Sequence, residues 1–134
     1  MQARILFDGA ATGRALVLSE PLSLWGGLDP QTGVLIDAHH PQRGAQLAGR
    51  VIVMASSRGS SSSSSVLAEA VRSGHSPAAI LLGEPDLILA VGAAVAAELY
   101  DERVPILVLR PEDRPAIQDG MQVRVTAGGV IALD

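Results

Sequence analysis

A run of six serines, Ser60 to Ser65, separates a short apolar segment from a helical pattern. The apolar segment, residues 51–55, is short and β-branched, which is typical of a buried strand. Residues 66–72, after the serines, are rich in helix formers. A strand, a serine-rich turn and a helix start bring backbone N–H groups, hydroxyls and the positive end of a helix dipole to one place. The pattern therefore predicts a strand–loop–helix unit with an anion-binding pocket at its turn.

Two simpler interpretations of the serine run remain open. Runs of serine often form flexible linkers, but a linker would not join two segments that both read as core elements. One serine is also expected to cap the helix that follows, which leaves the other five without a role.

The composition excludes several classes of function. With no cysteine, disulfides, thiol nucleophiles and cysteine-bound clusters cannot form on this chain, and three scattered histidines indicate no metal site. All ten basic residues are arginine, which excludes lysine Schiff-base chemistry. A net charge of −4 without a basic patch argues against nucleic acid as a partner. No apolar stretch could span a bilayer and no signal peptide is recognisable, so we expect a cytoplasmic protein without a membrane partner.

The alternation of apolar and helical segments predicts the fold. The 134 residues, 48% of them hydrophobic, suffice for a single domain over residues 1–134 with a core of Val, Leu, Ile and Ala. Strands are predicted at 3–7, 14–18, 34–36, 49–55, 78–82, 104–109, 123–125 and 130–133, helices at 62–73 and 87–100, and a short helix or turn at 111–119. This order predicts an α/β domain in which a parallel sheet with flanking helices adjoins a smaller, barrel-like β layer.

The irregular stretch 19–33 contains the only tryptophan, Trp25, followed by Gly26 and Gly27. Loops of this length in a compact domain are usually functional. Trp25 could fill a gap in the core while the glycines make a turn. Alternatively, the three residues form a rim that meets a ligand or a partner subunit.

Three polar residues, Asp37, His39 and His40, precede Pro41. A histidine beside a carboxylate can act as an acid or base near neutral pH. A solvated loop without a chemical role is the simpler interpretation and is favoured by the sequence alone. His75 lies in a separate turn and is expected to be exposed.

Arg58 is the strongest candidate for binding an anionic ligand, because an arginine beside free N–H groups can bind a carboxylate or phosphate with two hydrogen bonds. A serine held beside such positive groups could lose its proton and serve as a base. The sequence has no Gly-x-Ser-x-Gly motif and no nearby His–Asp pair. A base is therefore favoured over a serine that forms an acyl-enzyme.

The chain resembles the swivel domain, or small subunit, of the aconitase X family. The likeness rests on an ordered set of motifs. They are residues 20–30 (EPLSLWGGLDP), 33–37, 40–44 (HPQRG), 49–51, 58–64 (RGSSSSS), 66–69, 77–80 and 105–109. Two positions depart from the family pattern, namely Ser57, where many relatives have glycine, and the additional Ser65.

The resemblance implies a swivelling β/β/α domain that closes over a larger, cysteine-bearing subunit, with the iron–sulfur cluster of the heterodimer on that partner. It implies a hydro-lyase that is inactive without its partner, in which the cluster acts as a Lewis acid on the leaving hydroxyl. The serine directly after the glycine, Ser60, would be the base, with Ser61 as the alternative. The residues expected to bind the small anionic substrate are Arg58, Gly59, Ser62, Trp25, Gly26, Gly27 and His40.

The substrate implied by the resemblance is a small hydroxy acid. The arginine-only composition suggests a bacterial source, which favours cis-3-hydroxy-L-proline over (R)-5-phosphomevalonate. One competing class is a phosphohistidine-type swivelling carrier, because residues 74–80 (GHSPAAI) loosely match such a motif around His75. Phosphate on His75 after exposure to phosphoenolpyruvate would support it. The other is a small-anion-binding module without a partner, against which an adjacent gene for a cysteine-bearing subunit would count.

Overall fold

The computed structural model describes residues 1–134 as a seven-stranded mixed sheet with two helices. The strands are β1 (Arg4–Phe7), β2 (Ala11–Val17), β3 (Val51–Met54), β4 (Ala79–Leu82), β5 (Ile106–Val108), β6 (Gln122–Thr126) and β7 (Val130–Leu133). The helices are α1 (Ser63–Ser73) and α2 (Leu87–Tyr100), and a 3-10 turn covers Arg114–Ala116. The predicted helices thus begin and end within one residue of the observed ones.

The strand order across the sheet is β1-β5-β4-β3-β2-β6-β7. Strands β2 to β5 are parallel to one another, whereas β1, β6 and β7 pair antiparallel with their neighbours. The sheet curls until its edges meet at a bridge between Gln2 and Val130. We call this meeting point the seam; there the Ala3 N–H donates to the Gly129 carbonyl at 2.9 Å.

The predicted α/β fold with a parallel sheet and a barrel-like layer is confirmed, with two differences in detail. The barrel-like part is no separate layer, because β2 pairs with β3 on one side and with β6 on the other. Residues 34–36 form no regular strand. They make only isolated bridges, Val34 to Gln46 and Leu35 to Leu28, because this segment lies in the long loop between β2 and β3.

Apolar side chains fill both sides of the sheet. Along β3, Val51 and Val53 belong to a core inside the curl, while Ile52 and Met54 belong to the core beneath the helices. Successive side chains of a strand point to opposite faces, so a strand buried on both faces reads as a continuous apolar run. The two cores hold the sheet and the helices together as one unit.

The helices lie on one face of the sheet and pack against each other. A side chain at Gly92 of α2 would stand 2.8 Å from the Ser64 carbonyl oxygen of α1, so glycine permits this close approach. Neither helix has the length and apolar character needed to cross a bilayer. Because β2 to β5 are parallel, their carboxyl ends meet at one edge of the sheet, which is where ligands bind in such sheets. The serine run leaves the sheet at that edge, after β3.

Candidate functional site

The serine loop, residues 57–62, connects β3 to α1 and is fixed at its stem. Ser57 forms a bridge with Leu22, and the Arg58 N–H donates to the Leu22 carbonyl at 3.3 Å. The Ser57 hydroxyl donates to a carboxylate oxygen of Asp86, the residue that caps α2 by accepting from the N–H groups of Ile88 and Leu89. The stem of the loop is therefore tied to a neighbouring loop and to the start of α2.

Backbone N–H groups without acceptors cluster at this loop and at the start of α1. They belong to Gly59, Ser60, Ser61, Ser64 and Ser65. The Ser62 N–H donates to the Ser60 Oγ at 3.3 Å. The side chain of Ser62, the N-cap residue, accepts no hydrogen bond from the first turn of α1. Free N–H groups together with a helix N-terminus make a setting that favours a negative charge, as the sequence predicts.

Ser63 is a site residue that sequence reasoning missed. It is buried, and its Oγ lies 3.4 Å from the Ser23 Oγ and accepts the Trp25 N–H at 3.3 Å. A signal for this role does exist, because Ser63 shares its helical spacing with the buried Leu67 and Ala70. Ser63 thus joins the serine run to the tryptophan loop.

Trp25 lies at the tip of that loop with 60% of its surface exposed. It does not fill a gap in the core; Leu22, Leu24 and Leu28 do so and anchor the loop. Gly26 adopts a positive φ of 77°, which makes the turn that the sequence indicates. The observed exposure agrees with the interpretation of Trp25 as a rim residue.

Arg58 projects from the serine loop beside a single carboxylate. Its Nη2 atom lies 3.9 Å from Oε1 of Glu20, and both side chains are at least half exposed. A contact at this distance is loose, so the guanidinium keeps donors available for a ligand. The pair offers one positive and one negative group side by side at the carboxyl edge of the sheet.

His40 lies behind this pair rather than beside the serines. It is buried, and its Nδ1 atom accepts the Gln42 N–H at 3.1 Å. The proton is therefore assigned to Nε2, which donates to the Glu20 carbonyl at 3.0 Å. Binding of substrate by His40 stays a prediction, but these contacts indicate a residue that positions Glu20. Of the neighbouring cluster, His39 donates its N–H to the Asp37 carboxylate in an exposed turn.

The other polar residues lie apart from the serine loop. His75 follows the C-terminal end of α1, the opposite end from the serines, and its Nδ1 atom lies 3.3 Å from the Ser73 hydroxyl. No group of three or more acidic or histidine side chains is arranged to hold a metal ion. With no cysteine on the chain, these residues do not fit an iron–sulfur cluster.

The structure thus brings most of the predicted site residues to one rim. Trp25 approaches the start of α1 through Ser63, and Gly26 and Gly27 continue its turn. The other members of the rim are Arg58, Gly59, Ser60, Ser61 and Ser62. Only His40, among the predicted residues, lies outside it.

Comparison with known proteins agrees with this geometry. A family model described as the aconitase X swivel domain matches residues 1–133. The crystal structure of Thermococcus kodakaraensis aconitase X in its holo-form superposes with a TM-score of 0.86 at 31% identity, covering 99% of this chain and 96% of that one.

Curated relatives fall into two kinds. A cis-3-hydroxy-L-proline dehydratase of Pseudomonas aeruginosa is 49% identical over 79% of this chain, but the chain spans only 18% of that protein's length. A phosphomevalonate dehydratase small subunit of Thermococcus gammatolerans is 33% identical over the whole chain and 98% of its own length. Such a domain therefore occurs both within a longer protein and as a separate subunit, and on this sequence and fold the chain belongs to the aconitase X swivel domain family.

Proposed function

We propose that this chain supplies the proton-accepting serine and the anion-binding loop of a cytoplasmic dehydratase. The rest of the active site would lie on a large, cysteine-bearing subunit, and the chain alone would be inactive. The observation that supports the proposal most directly is the cluster of N–H groups without acceptors around Ser60. A hydroxyl in such a setting is stabilised when it loses its proton.

In the proposed elimination, Ser60 takes the proton from the carbon next to the one that bears the hydroxyl. The electron pair of the broken C–H bond forms the new double bond as the C–O bond breaks, and the hydroxyl takes a proton from an acid on the large subunit and leaves as water. Arg58 and the free N–H groups bind the carboxylate of the substrate and orient it. Ser60 is favoured over Ser61 because its Oγ already accepts the Ser62 N–H.

An iron–sulfur cluster, which is the family's cofactor by resemblance, would be held by the large subunit. The residues of this chain offer no ligands for it. The role of the chain in the reaction is confined to proton removal, substrate binding and exclusion of water as the domain closes.

Among the substrates named for the relatives, we favour cis-3-hydroxy-L-proline. This amino acid carries a carboxylate and an ammonium group, which match Arg58 and Glu20 side by side. The charged groups of (R)-5-phosphomevalonate, a carboxylate and a phosphate, are all anionic, and Glu20 would repel them. The higher identity to the hydroxyproline enzyme, 49% against 33%, supports the same choice.

The test is an assay of the chain reconstituted with the large subunit of the same dehydratase, on both substrates. We expect Ser60→Ala to lower kcat by about 10²- to 10⁴-fold, the usual contribution of a catalytic base. Ser65→Ala is the matched control, because the Ser65 side chain is exposed and the substitution keeps its backbone N–H group.

Association of the two chains, measured in parallel, should be unchanged by Ser60→Ala. Full activity of Ser60→Ala with loss of activity in Ser61→Ala would move the base to Ser61. Full activity of both variants would refute the proposed role of the loop.

A further inference from the structure

The outward face of α2 is apolar along its whole length. Leu87, Val91, Val95 and Leu99 follow one another at intervals of four residues, and their side chains are 69%, 56%, 41% and 64% exposed. We call these four residues the α2 face. Glu98 is the only charged residue of the helix. A surface helix normally presents polar residues to solvent, so a helix that is apolar all round is typical of one buried in a larger assembly.

The α2 face adjoins the serine loop. A cavity of about 210 Å³ is lined by Ser61 and Ser64 on one side and by Leu87, Ile88 and Val91 on the other. The start of α2 is also tied to the loop through the hydrogen bond between Ser57 and Asp86. The catalytic loop and the first half of the α2 face therefore form one continuous surface.

The tryptophan loop, which also contacts the serine loop, carries a further exposed apolar side chain. Trp25, 60% exposed, is linked to the start of α1 through Ser63. Two elements in contact with the polar serine loop, the tryptophan loop and α2, thus carry exposed apolar side chains, as expected of an interface that closes around an active site and excludes water.

We propose that the α2 face is the docking surface for the large subunit of the dehydratase. This inference rests on the proposed function, because the serine loop must face that subunit for catalysis. The two kinds of relatives support this occupant. In one kind the matched region is 18% of a longer protein, and in the other it is a separate small subunit. In the relatives of the second kind some surface must hold the domain to its partner, and on this chain the face next to the loop is an exposed apolar surface suited to that task.

The face is long enough for this purpose. Leu99 lies twelve positions after Leu87, which corresponds to about 18 Å along the helix axis. Its lack of charge fits an apolar surface on the partner rather than an acidic or basic one. Because Ser57 and Asp86 join the helix to the loop, docking through α2 would also fix the serine loop relative to the partner.

The experiment measures the Kd between this chain and the large subunit by titration calorimetry, with kcat of the complex at saturating large subunit. The test variants are Val95→Glu and Leu99→Glu, which lie away from the cavity beside the serines. The matched control is Val130→Glu, since Val130 is 44% exposed but lies on β7 in the antiparallel part of the sheet. Circular dichroism and urea unfolding check that each variant is folded.

We expect Val95→Glu and Leu99→Glu to raise the Kd at least about tenfold, as loss of a well-packed interface residue does, and Val130→Glu to leave it within about twofold. An unchanged Kd for both test variants would overturn the inference while the proposed function stands. So would self-association of the wild-type chain that Leu99→Glu abolishes without any effect on the large subunit. If the wild-type chain neither binds nor activates the large subunit, the proposed function fails, and the inference fails with it.

Discussion

Within the serine run, neighbouring residues of one type have different tasks. Ser60 accepts an N–H group at the helix start, whereas Ser63 is buried in α1 against the tryptophan loop. Ser57, three residues before the run, fixes the stem of the loop through Asp86. Ser65 remains exposed. The run and its flanking segments indicate an anion site. The buried serine can be distinguished from the others only by its spacing from the apolar residues Leu67 and Ala70 of α1.

The two adjacent glycines of the tryptophan loop give a test at the scale of one residue. At Gly27 a Cβ would lie 2.1 Å from the Ser23 carbonyl oxygen and 2.6 Å from Leu22 Cδ1, whereas at Gly26 it would meet nothing. We expect Gly27→Ala to lower the free energy of unfolding by about 3 kcal/mol, because neither neighbour can move freely. Urea unfolding measures the change.

Gly26→Ala is the matched control for this prediction. Its positive φ alone costs about 1 kcal/mol for a residue with a side chain. Equal losses in the two variants would show that the loop adapts around residue 27 and that the close approach does not constrain it.

The contents of the site could be predicted from the sequence better than its arrangement. Arg58, the serines and Trp25 are adjacent to glycines or to a helix start, and such local signals are readable. Glu20 carries no such signal, and the sequence names His40 but not its contacts, because both depend on pairing between segments distant in sequence. A sequence does not distinguish a histidine whose two ring nitrogens are hydrogen-bonded within the protein from a histidine that is free to bind a ligand.

At the scale of the element, α1 carries an ion pair on its exposed side. The Arg72 guanidinium donates to both carboxylate oxygens of Glu69, and the Gln31 amide donates to Oε1 at 3.1 Å. These hydrogen bonds lower the pKa of Glu69 below its ordinary value of 4.5, and the bond from Arg72 has the larger effect. A carboxylate whose pKa is lowered by folding adds stability above its unfolded pKa and loses it as the pH falls through the folded one.

We therefore expect Glu69→Gln to be less stable than the wild type at neutral pH and equally stable at about pH 2. Urea unfolding of both proteins across this range gives the difference. Glu98→Gln on α2 is the control, because Glu98 makes no ion pair. A difference that persists unchanged to low pH would mean that Glu69 acts through packing and not through its charge.

The elements themselves could be predicted where local signals are strong. The bounds of α2 agree with the sequence because Asp86 caps one end and helix formers fill the rest. Strand β2 begins at Ala11 instead of the predicted residue 14, and the strand predicted at 34–36 is absent. The β-branched and apolar residues of that segment indicate a strand, but the loop around it offers only single bridges to Leu28 and Gln46.

At the scale of the molecule, the curl of the sheet was only partly predictable, since it depends on the pairing of Gln2 with Val130 across almost the whole chain. The pairing also brings the first residues beside β7. Met1 lies next to Ile131, and three further residues reach Asp134, a distance of about 10 Å.

This proximity predicts that a circular permutant will fold. Residues 134 and 1 would be joined by about four Gly and Ser residues, with new ends between the exposed Asp101 and Glu102. We expect an unfolding free energy within about 2 kcal/mol of the wild type, because a short connection costs little entropy. A permutant opened between Ile52 and Val53, inside β3, should not fold. The prediction is contradicted if the first permutant is destabilised by much more than this amount. The two ends of the chain would then not be held together at the seam.

The seam also bears on how the chain behaves when it is made without a partner. An open edge strand invites pairing with further chains and growth into fibrils. Here the two outer strands approach each other at Gln2 and Val130, and β1 carries the exposed Arg4. Aggregation of the isolated chain should therefore arise from contacts between exposed apolar side chains, such as those of α2, and not from strand pairing. Mild detergent should reverse it.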